Sequence, residues 1–145
     1  MKEPDCVFCK ICSEEEPRNI LYKDDNFIAF PNIKPAAKHH YLVVTRNHIK
    51  HVRHLTKEHI PLVEKFMDIG RQILIENGGD LSDARIGFHW PPFVSVKHIH
   101  LHVISPASSL GFKARLFFHP NSWWFVTVST FQLNKLLLFI LILNN

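Results

Sequence analysis

Residues 98–104 read His-Ile-His-Leu-His-Val-Ile, so three histidines alternate with apolar residues. Successive side chains of a β-strand point to opposite faces, and we therefore expect His98, His100 and His102 to share one face, roughly 6 to 7 Å apart. The apolar residues between them would then face a core. The pattern predicts a strand that presents three imidazoles to one small site.

Three interpretations fit such a row of imidazoles. Histidine acts as a nucleophile or as an acid and base, which suits phosphoryl or acyl transfer. Histidine nitrogens also bind transition metals, so the row could be a metal site. In the third interpretation the histidines are only the polar face of a half-buried strand. Alternation alone does not decide among the three.

The same segment matches the signature of the histidine triad (HIT) superfamily of nucleotide hydrolases and transferases. Other segments resemble that superfamily too: CVFCKI at 6–11, NIKP at 32–35, HHYLVV at 39–44 and NHI at 47–49. The segment GFHWPPF at 87–93 is similar to the branch that contains the Hint proteins and aprataxin. The resemblance extends over residues 6–128. It implies an α+β fold with a five-stranded antiparallel sheet, one long helix and a short N-terminal helix.

Local sequence patterns agree with that fold class. Stretches rich in β-branched and aromatic residues are predicted to be extended: 26–30, 41–45, 84–88, 94–104 and 123–128. Apolar residues at helical spacing predict one long helix: Leu62, Phe66, Ile69 and Ile73. Thr56 is a suitable N-cap, and Gly78 follows the last turn. Strands, one helix and then strands are the order typical of an α+β domain with an antiparallel sheet.

The resemblance assigns roles to the catalytic residues by position. His100, the middle residue of the triad, corresponds to the nucleophile, and a neutral imidazole can attack phosphorus at physiological pH. Water would cleave the resulting nucleotidyl-histidine, and no cofactor is expected for this chemistry. His102 and His40 correspond to histidines that contact the phosphate and orient the nucleophile. Ser95 matches a hydroxyl that assists the phosphate or the leaving group; the alternative is ordinary strand polarity.

The nucleotide-binding residues are also assigned from the resemblance. Positions that surround the purine in relatives are Val7, Phe8, Ile11, Phe30 and Ile33. From the residues alone, these side chains would serve equally well as core. Asn32 stands where relatives commonly carry an acidic residue that binds the ribose hydroxyls, and an amide accepts hydrogen bonds without charge assistance. His98 is expected behind the nucleophile, and His89 is either a group near the α-phosphate or a loop histidine held by local hydrogen bonds.

Cys6, Cys9 and Cys12 lie close together in the sequence, an arrangement that suits a metal site better than a disulfide framework. The resemblance to HIT proteins that keep the first two cysteines implies a structural zinc ion with the ligands Cys6, Cys9, His48 and His98. Two thiolates and two imidazoles satisfy a closed tetrahedral site. The alternative is that Cys6 and Cys9 are free buried thiols, and Cys12 is interpreted as an ordinary free cysteine.

Length and composition fit one small enzyme domain, and we assign residues 1–128 to a single HIT domain. A chain of 145 residues with 46% hydrophobic residues can bury one core. The formal net charge of +4 suits an anionic substrate such as a nucleotide and falls short of the basic stripe typical of nucleic-acid binding. The N-terminal region lacks the apolar stretch of a signal peptide, so a cytoplasmic or nuclear location is expected.

Residues 129–145 form an atypical apolar C-terminal tail that the resemblance does not cover. Positions 136–143 are consecutive apolar residues, too few to span a bilayer alone. Extending the run back to Trp123 brings in Gln132, Asn134 and Lys135, so a membrane anchor is the less favoured interpretation. The tail could instead pack at a subunit interface or promote aggregation.

The resemblance implies an adenosine 5'-monophosphoramidase or acyl-adenylate hydrolase that releases AMP from a P–N bond or a mixed anhydride. The expected partners are a purine nucleotide substrate and a second copy of the chain, because Hint proteins form homodimers. One alternative is aprataxin-like removal of AMP from adenylated nucleic-acid ends, but aprataxin adds a C-terminal zinc finger and no cysteine follows Cys12 here. Another alternative is a noncatalytic nucleotide-binding scaffold.

Overall fold

The computed structural model describes residues 2–128 and the single positions Leu138 and Ile142. Its helices and strands follow in the order α1 (Val7–Cys12), β1 (Tyr22–Lys23), β2 (Phe27–Pro31), β3 (His39–Thr45), α2 (Ile60–Glu76), β4 (Arg85–His89), β5 (His100–Ser105), α3 (Phe112–Phe117) and β6 (Phe125–Thr127). Nearly all of the predicted tail at 129–145 lies outside the described residues. Within them, no helix is both long enough and apolar enough to cross a bilayer.

The six strands form one antiparallel sheet in the order β1-β2-β3-β5-β4-β6. In its centre, β3 pairs with β5 so that Leu42 lies opposite His102 and Val44 lies opposite His100. The α+β class and the antiparallel sheet are confirmed, but the predicted number of five strands is one too few. The additional strand is β1, which pairs with β2 at the edge of the sheet. Its two residues are too few to show the alternation by which a strand is recognised in a sequence.

Helix α2 covers one face of the sheet, and this determines which way the triad points. Its buried residues pack in one core cluster with Leu101 and Val103 of β5. Gly70 marks a close approach, because a Cβ atom there would lie 3.0 Å from Cγ2 of Val103. Since alternate side chains of a strand point to opposite faces, His100 and His102 project from the other side of the sheet.

The boundaries of α2 follow from its flanking residues. Thr56 caps the helical turn Lys57–His59 that leads into α2, and its hydroxyl accepts a hydrogen bond from the backbone N–H of Glu58. Pro61 lies in the first turn, where its missing N–H removes no helical hydrogen bond. Beyond the C-terminus, Gly78 has a φ of +82°, a left-handed conformation that favours glycine. The predicted end of the helix is confirmed, whereas Thr56 caps the turn before α2 and the N-cap of α2 itself is His59.

Two smaller apolar clusters cover the face of the sheet that carries the triad. Helix α1 contributes Phe8 to the first cluster, and the residue after α3, Phe118, packs against Phe125 of β6 in the second. The centre of the Phe8 ring lies 5.2 Å from that of His100, and the Phe118 ring lies 5.1 Å from that of His102. The short N-terminal helix is confirmed. Helix α3 was not predicted, because six residues are too few to establish a helical period.

The connection between β4 and β5 differs from its prediction. The strand predicted at 94–104 begins only at His100, and residues 91–98 form turns and bends. Pro91 and Pro92, at the start of this segment, have no backbone N–H to donate to a sheet. The chain then turns back to enter β5, which runs antiparallel to β4. His98 therefore lies just outside the strand that carries the other two histidines of the triad.

Candidate active site

His100 is held by its own backbone in an orientation that leaves one ring nitrogen free. Its Nδ1 lies 2.7 Å from the carbonyl oxygen of His98, and a carbonyl can only accept, so Nδ1 carries the proton. The other nitrogen, Nε2, therefore bears the lone pair. Burial lowers the pKa of His100 and favours the neutral ring. A neutral imidazole with a fixed tautomer is suited to nucleophilic attack.

A cavity of about 250 Å³ opens beside His100 and His102. Small-molecule sites typically have volumes of roughly 300–1,000 Å³, so this cavity is slightly smaller than that range. Most of the predicted catalytic and nucleotide-binding residues line it: Val7, Phe8, Ile11, Phe30, Asn32, Ile33, Ser95, His100 and His102. The apolar wall from α1 stands next to neutral imidazoles, which suits a ligand with an apolar ring and a polar reacting group.

Arg18 is a functional candidate that the sequence reasoning missed. It lines the same cavity as His100, and so does Lys34. Arg18 follows α1 in an irregular segment without a motif around it, so no signal in the sequence marked it. Two cationic side chains in one small cavity favour an anionic ligand, and Arg18 also forms an ion pair with Glu16 at 3.4 Å. Beside them, Oδ1 of Asn32 accepts a hydrogen bond of 2.9 Å from the backbone N–H of Lys34, which orients the amide of Asn32.

His40 lies behind His102 and contacts it directly. Nε2 of His40 is 3.0 Å from Nδ1 of His102. The strand register explains the contact, because His40 lies opposite Ile104 on β5 and therefore diagonal to His102. On its other side, Nδ1 of His40 accepts a hydrogen bond of 2.9 Å from the backbone N–H of Ala36. These contacts place His40 where it can orient His102 rather than on the wall of the cavity.

His89, the last residue of β4, lies on the other side of His102. Its Nδ1 is 3.2 Å from Nε2 of His102, and its Nε2 is 3.0 Å from the carbonyl oxygen of Phe117. Both ring nitrogens are thus engaged by protein groups. Of the two interpretations drawn from the sequence, a phosphate contact and a histidine held by hydrogen bonds, this geometry corresponds to the second, although His89 belongs to a strand and not to a loop.

Burial keeps these imidazoles neutral at physiological pH. It lowers the pKa of His40 and the pKa of His89 to about 4, and the proximity of other histidines acts in the same direction. Burial also holds the pKa of His102 well below its usual value. The site is therefore a set of neutral hydrogen-bond donors and acceptors, and its positive charge comes from Arg18 and Lys34.

The four residues predicted to bind zinc converge at the start of the triad. Sγ of Cys6 lies 3.3 Å from Nδ1 of His98, and Sγ of Cys9 lies 3.4 Å from Nδ1 of His48. All four candidate ligand atoms lie within 4.8 Å of one another. In a tetrahedral zinc site the usual metal–ligand distances put a thiolate sulfur and an imidazole nitrogen roughly 3.5 Å apart. The residues present therefore fit a zinc ion.

A second hydrogen bond determines which nitrogen of His98 faces the cysteines. Its Nε2 lies 2.7 Å from the carbonyl oxygen of Thr45, so this nitrogen carries the proton and the lone pair of Nδ1 points to the thiols. Cys12 is different, because its Sγ lies 3.8 Å from the same carbonyl and burial raises its pKa to about 11. His98 thus belongs to the cysteine–histidine cluster and not to the wall of the cavity.

Comparisons with known proteins agree with this arrangement. The chain matches the family described as scavenger mRNA decapping enzyme C-term binding over residues 5–117. It is 45% identical over 124 residues to adenosine 5'-monophosphoramidase HINT3 of Xenopus tropicalis, across 84% of this chain and 81% of that relative. To HINT3 of Mus musculus it is 42% identical over 137 residues, across 92% of this chain and 82% of that relative.

A solved structure has the same fold. The HIT family hydrolase from Clostridium thermocellum superposes with a TM-score of 0.67 at 27% identity, over 71% of this chain and 91% of its own. The family match covers most of the chain. Of the alternating histidines, His100 and His102 line the cavity, and His98 belongs to the cysteine–histidine cluster. This protein therefore belongs to the histidine triad superfamily, in the branch that contains the HINT3 proteins.

Proposed function

We propose that this protein hydrolyses adenosine 5'-monophosphoramidates and acyl adenylates and releases AMP. The observation that carries the proposal is the geometry of His100. Its Nδ1 is engaged by the carbonyl oxygen of His98, so Nε2 remains as the free nitrogen of a buried, neutral ring at the cavity. The relatives named adenosine 5'-monophosphoramidase support the same reaction class.

In the proposed reaction, Nε2 of His100 attacks the α-phosphorus, and the bond from phosphorus to the leaving nitrogen or acyl oxygen breaks. The leaving atom takes the electron pair of that bond, and a leaving amine also takes a proton from solvent. The nucleotidyl-imidazole is cationic because Nδ1 keeps its proton, and the carbonyl oxygen of His98 stabilises that charge. Water then attacks phosphorus and releases a proton to solvent, the bond to Nε2 breaks with its electron pair returning to Nε2, and AMP leaves. Ser95 provides a hydroxyl on the cavity wall that can hydrogen-bond to the leaving atom.

The remaining cavity residues are assigned to the purine, the ribose and the phosphate of the nucleotide. The apolar residues proposed to hold the purine are Val7, Phe8, Ile11, Phe30 and Ile33. Asn32 is assigned to the ribose hydroxyls, with which its amide can form hydrogen bonds. Arg18 and Lys34 supply positive charge for the phosphate oxygens. His102 lies beside His100 on the same face of β5, where its ring orients the nucleophile, and His40 orients His102.

A structural zinc ion at Cys6, Cys9, His48 and His98 is part of the proposal. An ion bound there would hold α1 against His98 in the segment before β5, and α1 supplies part of the cavity wall. The reaction needs no cofactor, because the nucleophile is a protein side chain. The ion would contribute to stability and to the position of α1.

The proposal also includes a homodimer in the cytoplasm or nucleus. Strand β6 lies at an edge of the described sheet, and several large apolar side chains in this part of the molecule are exposed: Phe93, Phe112, Leu116 and Trp123. Exposed apolar groups beside an edge strand favour association with a second copy. Cysteines that form no disulfide suit a reducing compartment. Sedimentation velocity should give the mass of two chains, and the mass of one chain would contradict the dimer.

The experiment that tests the function compares substrates on the purified protein. Adenosine 5'-phosphoramidate should release AMP, and His100→Asn should reduce the rate by at least about 100-fold, because the nucleophile is lost. His119→Asn is the matched control, since this histidine is exposed and lies away from the cavity. AMP release from an adenylated DNA end but not from the phosphoramidate would favour the aprataxin-like alternative. Binding of AMP without turnover of either substrate would favour the noncatalytic scaffold.

A further inference from the structure

The hydrogen bonds around His102 belong to a longer continuous array. The array begins at the backbone N–H of Ala36, passes through the rings of His40, His102 and His89, and ends at the carbonyl oxygen of Phe117. The successive distances between nitrogen and acceptor are 2.9, 3.0, 3.2 and 3.0 Å. Each link is within hydrogen-bonding distance, and the three rings are buried.

The two ends of the array determine where its protons lie. The carbonyl of Phe117 can only accept, so a neutral His89 carries its proton on Nε2 and presents the lone pair of Nδ1 to His102. The N–H of Ala36 can only donate, so a neutral His40 presents the lone pair of Nδ1 and carries its proton on Nε2. Both ends give His102 the same tautomer: Nδ1 accepts from His40, and Nε2 donates to His89.

One neighbouring contact competes with this assignment and is weaker. Nδ2 of Asn32 lies 3.3 Å from Nε2 of His40, and an amide nitrogen is also a donor. The amide cannot turn its oxygen to His40 without losing the hydrogen bond from the N–H of Lys34. If Nε2 of His40 accepted from Asn32, its protonated Nδ1 would face the N–H of Ala36 at 2.9 Å. The backbone N–H keeps its proton, so the contact with Ala36 determines the tautomer.

The carbonyl that ends the array belongs to the last turn of α3. Carbonyls at the end of a helix lack intrahelical partners and need other donors. Three successive carbonyls there accept hydrogen bonds from side chains: Leu116 from Trp124 at 2.9 Å, Phe117 from His89 at 3.0 Å and Phe118 from Arg85 at 2.7 Å. The hydrogen bond from His89 therefore lies between those from Trp124 and Arg85. It holds the ring of His89 at Nε2, the nitrogen that does not contact His102.

We propose that His89 is a positioning residue, which accepts the hydrogen bond from Nε2 of His102 and fixes that ring beside the nucleophile. The ring centres of His102 and His100 are 4.9 Å apart. The array cannot act as a proton shuttle, because a backbone N–H releases no proton at its first end and a carbonyl binds none at its last. Its effect is to hold His102 in one orientation and one tautomer. The consequence for turnover rests on the proposed function.

Replacement of His89 by phenylalanine tests this role. His89→Phe keeps a flat ring next to Phe117, whose ring centre lies 4.1 Å away, and removes both hydrogen bonds. We expect kcat for adenosine 5'-phosphoramidate to fall about 10- to 100-fold, because a misplaced group near the reacting atoms loses much of its effect. KM should change by less than about threefold, because His89 does not line the cavity.

Two further variants separate the hydrogen bond from packing. In His89→Asn the amide oxygen can take the place of Nδ1 as acceptor, so kcat should recover at least about fivefold relative to His89→Phe. Phe117→Leu changes the ring that packs on His89 but keeps the backbone carbonyl, and its kcat should stay close to that of the unchanged protein. A loss in Phe117→Leu as large as that in His89→Phe, with no recovery in His89→Asn, would mean that His89 acts only through packing.

Nitrogen–proton correlation spectra of the imidazoles provide a readout that does not need activity. The unchanged protein should show His102 protonated on Nε2, with a proton protected from exchange, and His89→Phe should lose that protection. If kcat and the His102 signal were both unchanged in His89→Phe, the positioning role would be overturned. If the signal changed as expected while the unchanged protein hydrolysed no phosphoramidate, the proposed function would fail and the contact between His89 and His102 would stand.

Discussion

The carbonyl oxygen of His98 accepts a hydrogen bond of 2.7 Å from Nδ1 of His100, while the imidazole of His98 lies among the thiols of Cys6 and Cys9. One residue thus connects the cysteine–histidine cluster with the nucleophile. A displacement of the His98 ring moves the backbone carbonyl that sets the tautomer of His100. Changes in the cluster should therefore affect catalysis as well as stability.

Cys9→Ala should abolish zinc binding at the proposed site and lower both the melting temperature and the activity. Loss of one thiolate leaves three ligands, and a structural zinc ion contributes directly to the free energy of folding. We expect about one zinc ion per chain in the unchanged protein and a decrease in Tm of about 5–10 °C in the variant. Metal analysis by mass spectrometry and thermal unfolding measure these effects.

Cys12→Ala is the matched control for this prediction. Its thiol contacts the carbonyl oxygen of Thr45 and does not belong to the cluster of candidate ligands. The variant should therefore keep its metal. Protein that is purified with zinc present and still contains none would contradict the zinc proposal.

The rate of AMP formation should stay constant as the pH falls from 7 to about 5 and decline toward pH 4. The hydrogen-bonded array requires neutral His40 and neutral His89, and burial lowers the pKa of each to about 4. A solvent-exposed histidine would instead titrate near about 6.5. Single-turnover rates between pH 4 and pH 8 give the profile. A midpoint near the ordinary histidine value would show that burial does not lower the pKa of these histidines, and a rate undiminished at pH 4 would show that the array does not have to be neutral.

The same two histidines should make the fold sensitive to acid. Their pKa is about 4 in the folded protein and about 6.5 in the unfolded chain, so between these values the unfolded state binds more protons. The free energy of unfolding therefore decreases as the pH falls through this window. Between pH 7 and pH 5 we expect a loss of about 1–2 kcal/mol for each histidine, measured by urea denaturation.

A double variant provides the control for the acid sensitivity. His40→Phe combined with His89→Phe removes both titrating groups while keeping flat buried rings, so its stability should depend less on pH over the same window. Equal stability of the unchanged protein at pH 7 and pH 5 would mean that these imidazoles are not held neutral by the fold.

Asn32→Asp should strengthen the binding of AMP. A carboxylate forms charge-assisted hydrogen bonds with the ribose hydroxyls, and a gain of about 1–2 kcal/mol corresponds to a Kd roughly 5- to 30-fold lower. Titration calorimetry with AMP measures the difference. Asn19→Asp introduces the same charge at an exposed position and should leave the affinity unchanged. Weaker binding by Asn32→Asp would place Asn32 away from the ribose.

Features with a local sequence signature could be predicted well. His100 and His102 of the triad and the apolar period of α2 each occupy a short window, and their geometry follows from the period of a strand or a helix. The grouping of Cys6 and Cys9 with His48 and His98 came from the resemblance to HIT proteins. The spacing of the cysteines alone indicated half of a metal site and did not identify the two histidines.

Features that depend on contacts between distant segments could not be predicted. Arg18 reaches the cavity from a segment without a motif, and the hydrogen bond from His89 to the carbonyl of Phe117 depends on the placement of α3. The start of β5 was placed too early because residues 94–97 have the composition of a strand, whereas pairing with β3 begins at His100. Pairing is a property of two strands, and the sequence of one strand does not specify it.

Detection of AMP on His100 tests the central claim most directly. A single turnover with adenosine 5'-phosphoramidate is quenched with denaturant at alkaline pH, because a phosphorus–nitrogen bond to imidazole is labile in acid, and the adduct is located by peptide fragmentation. We predict AMP on His100, formed and lost at rates that account for turnover, and no adduct in His100→Asn. AMP release without an adduct on His100, or undiminished hydrolysis by His100→Asn, would contradict the assignment of the nucleophile.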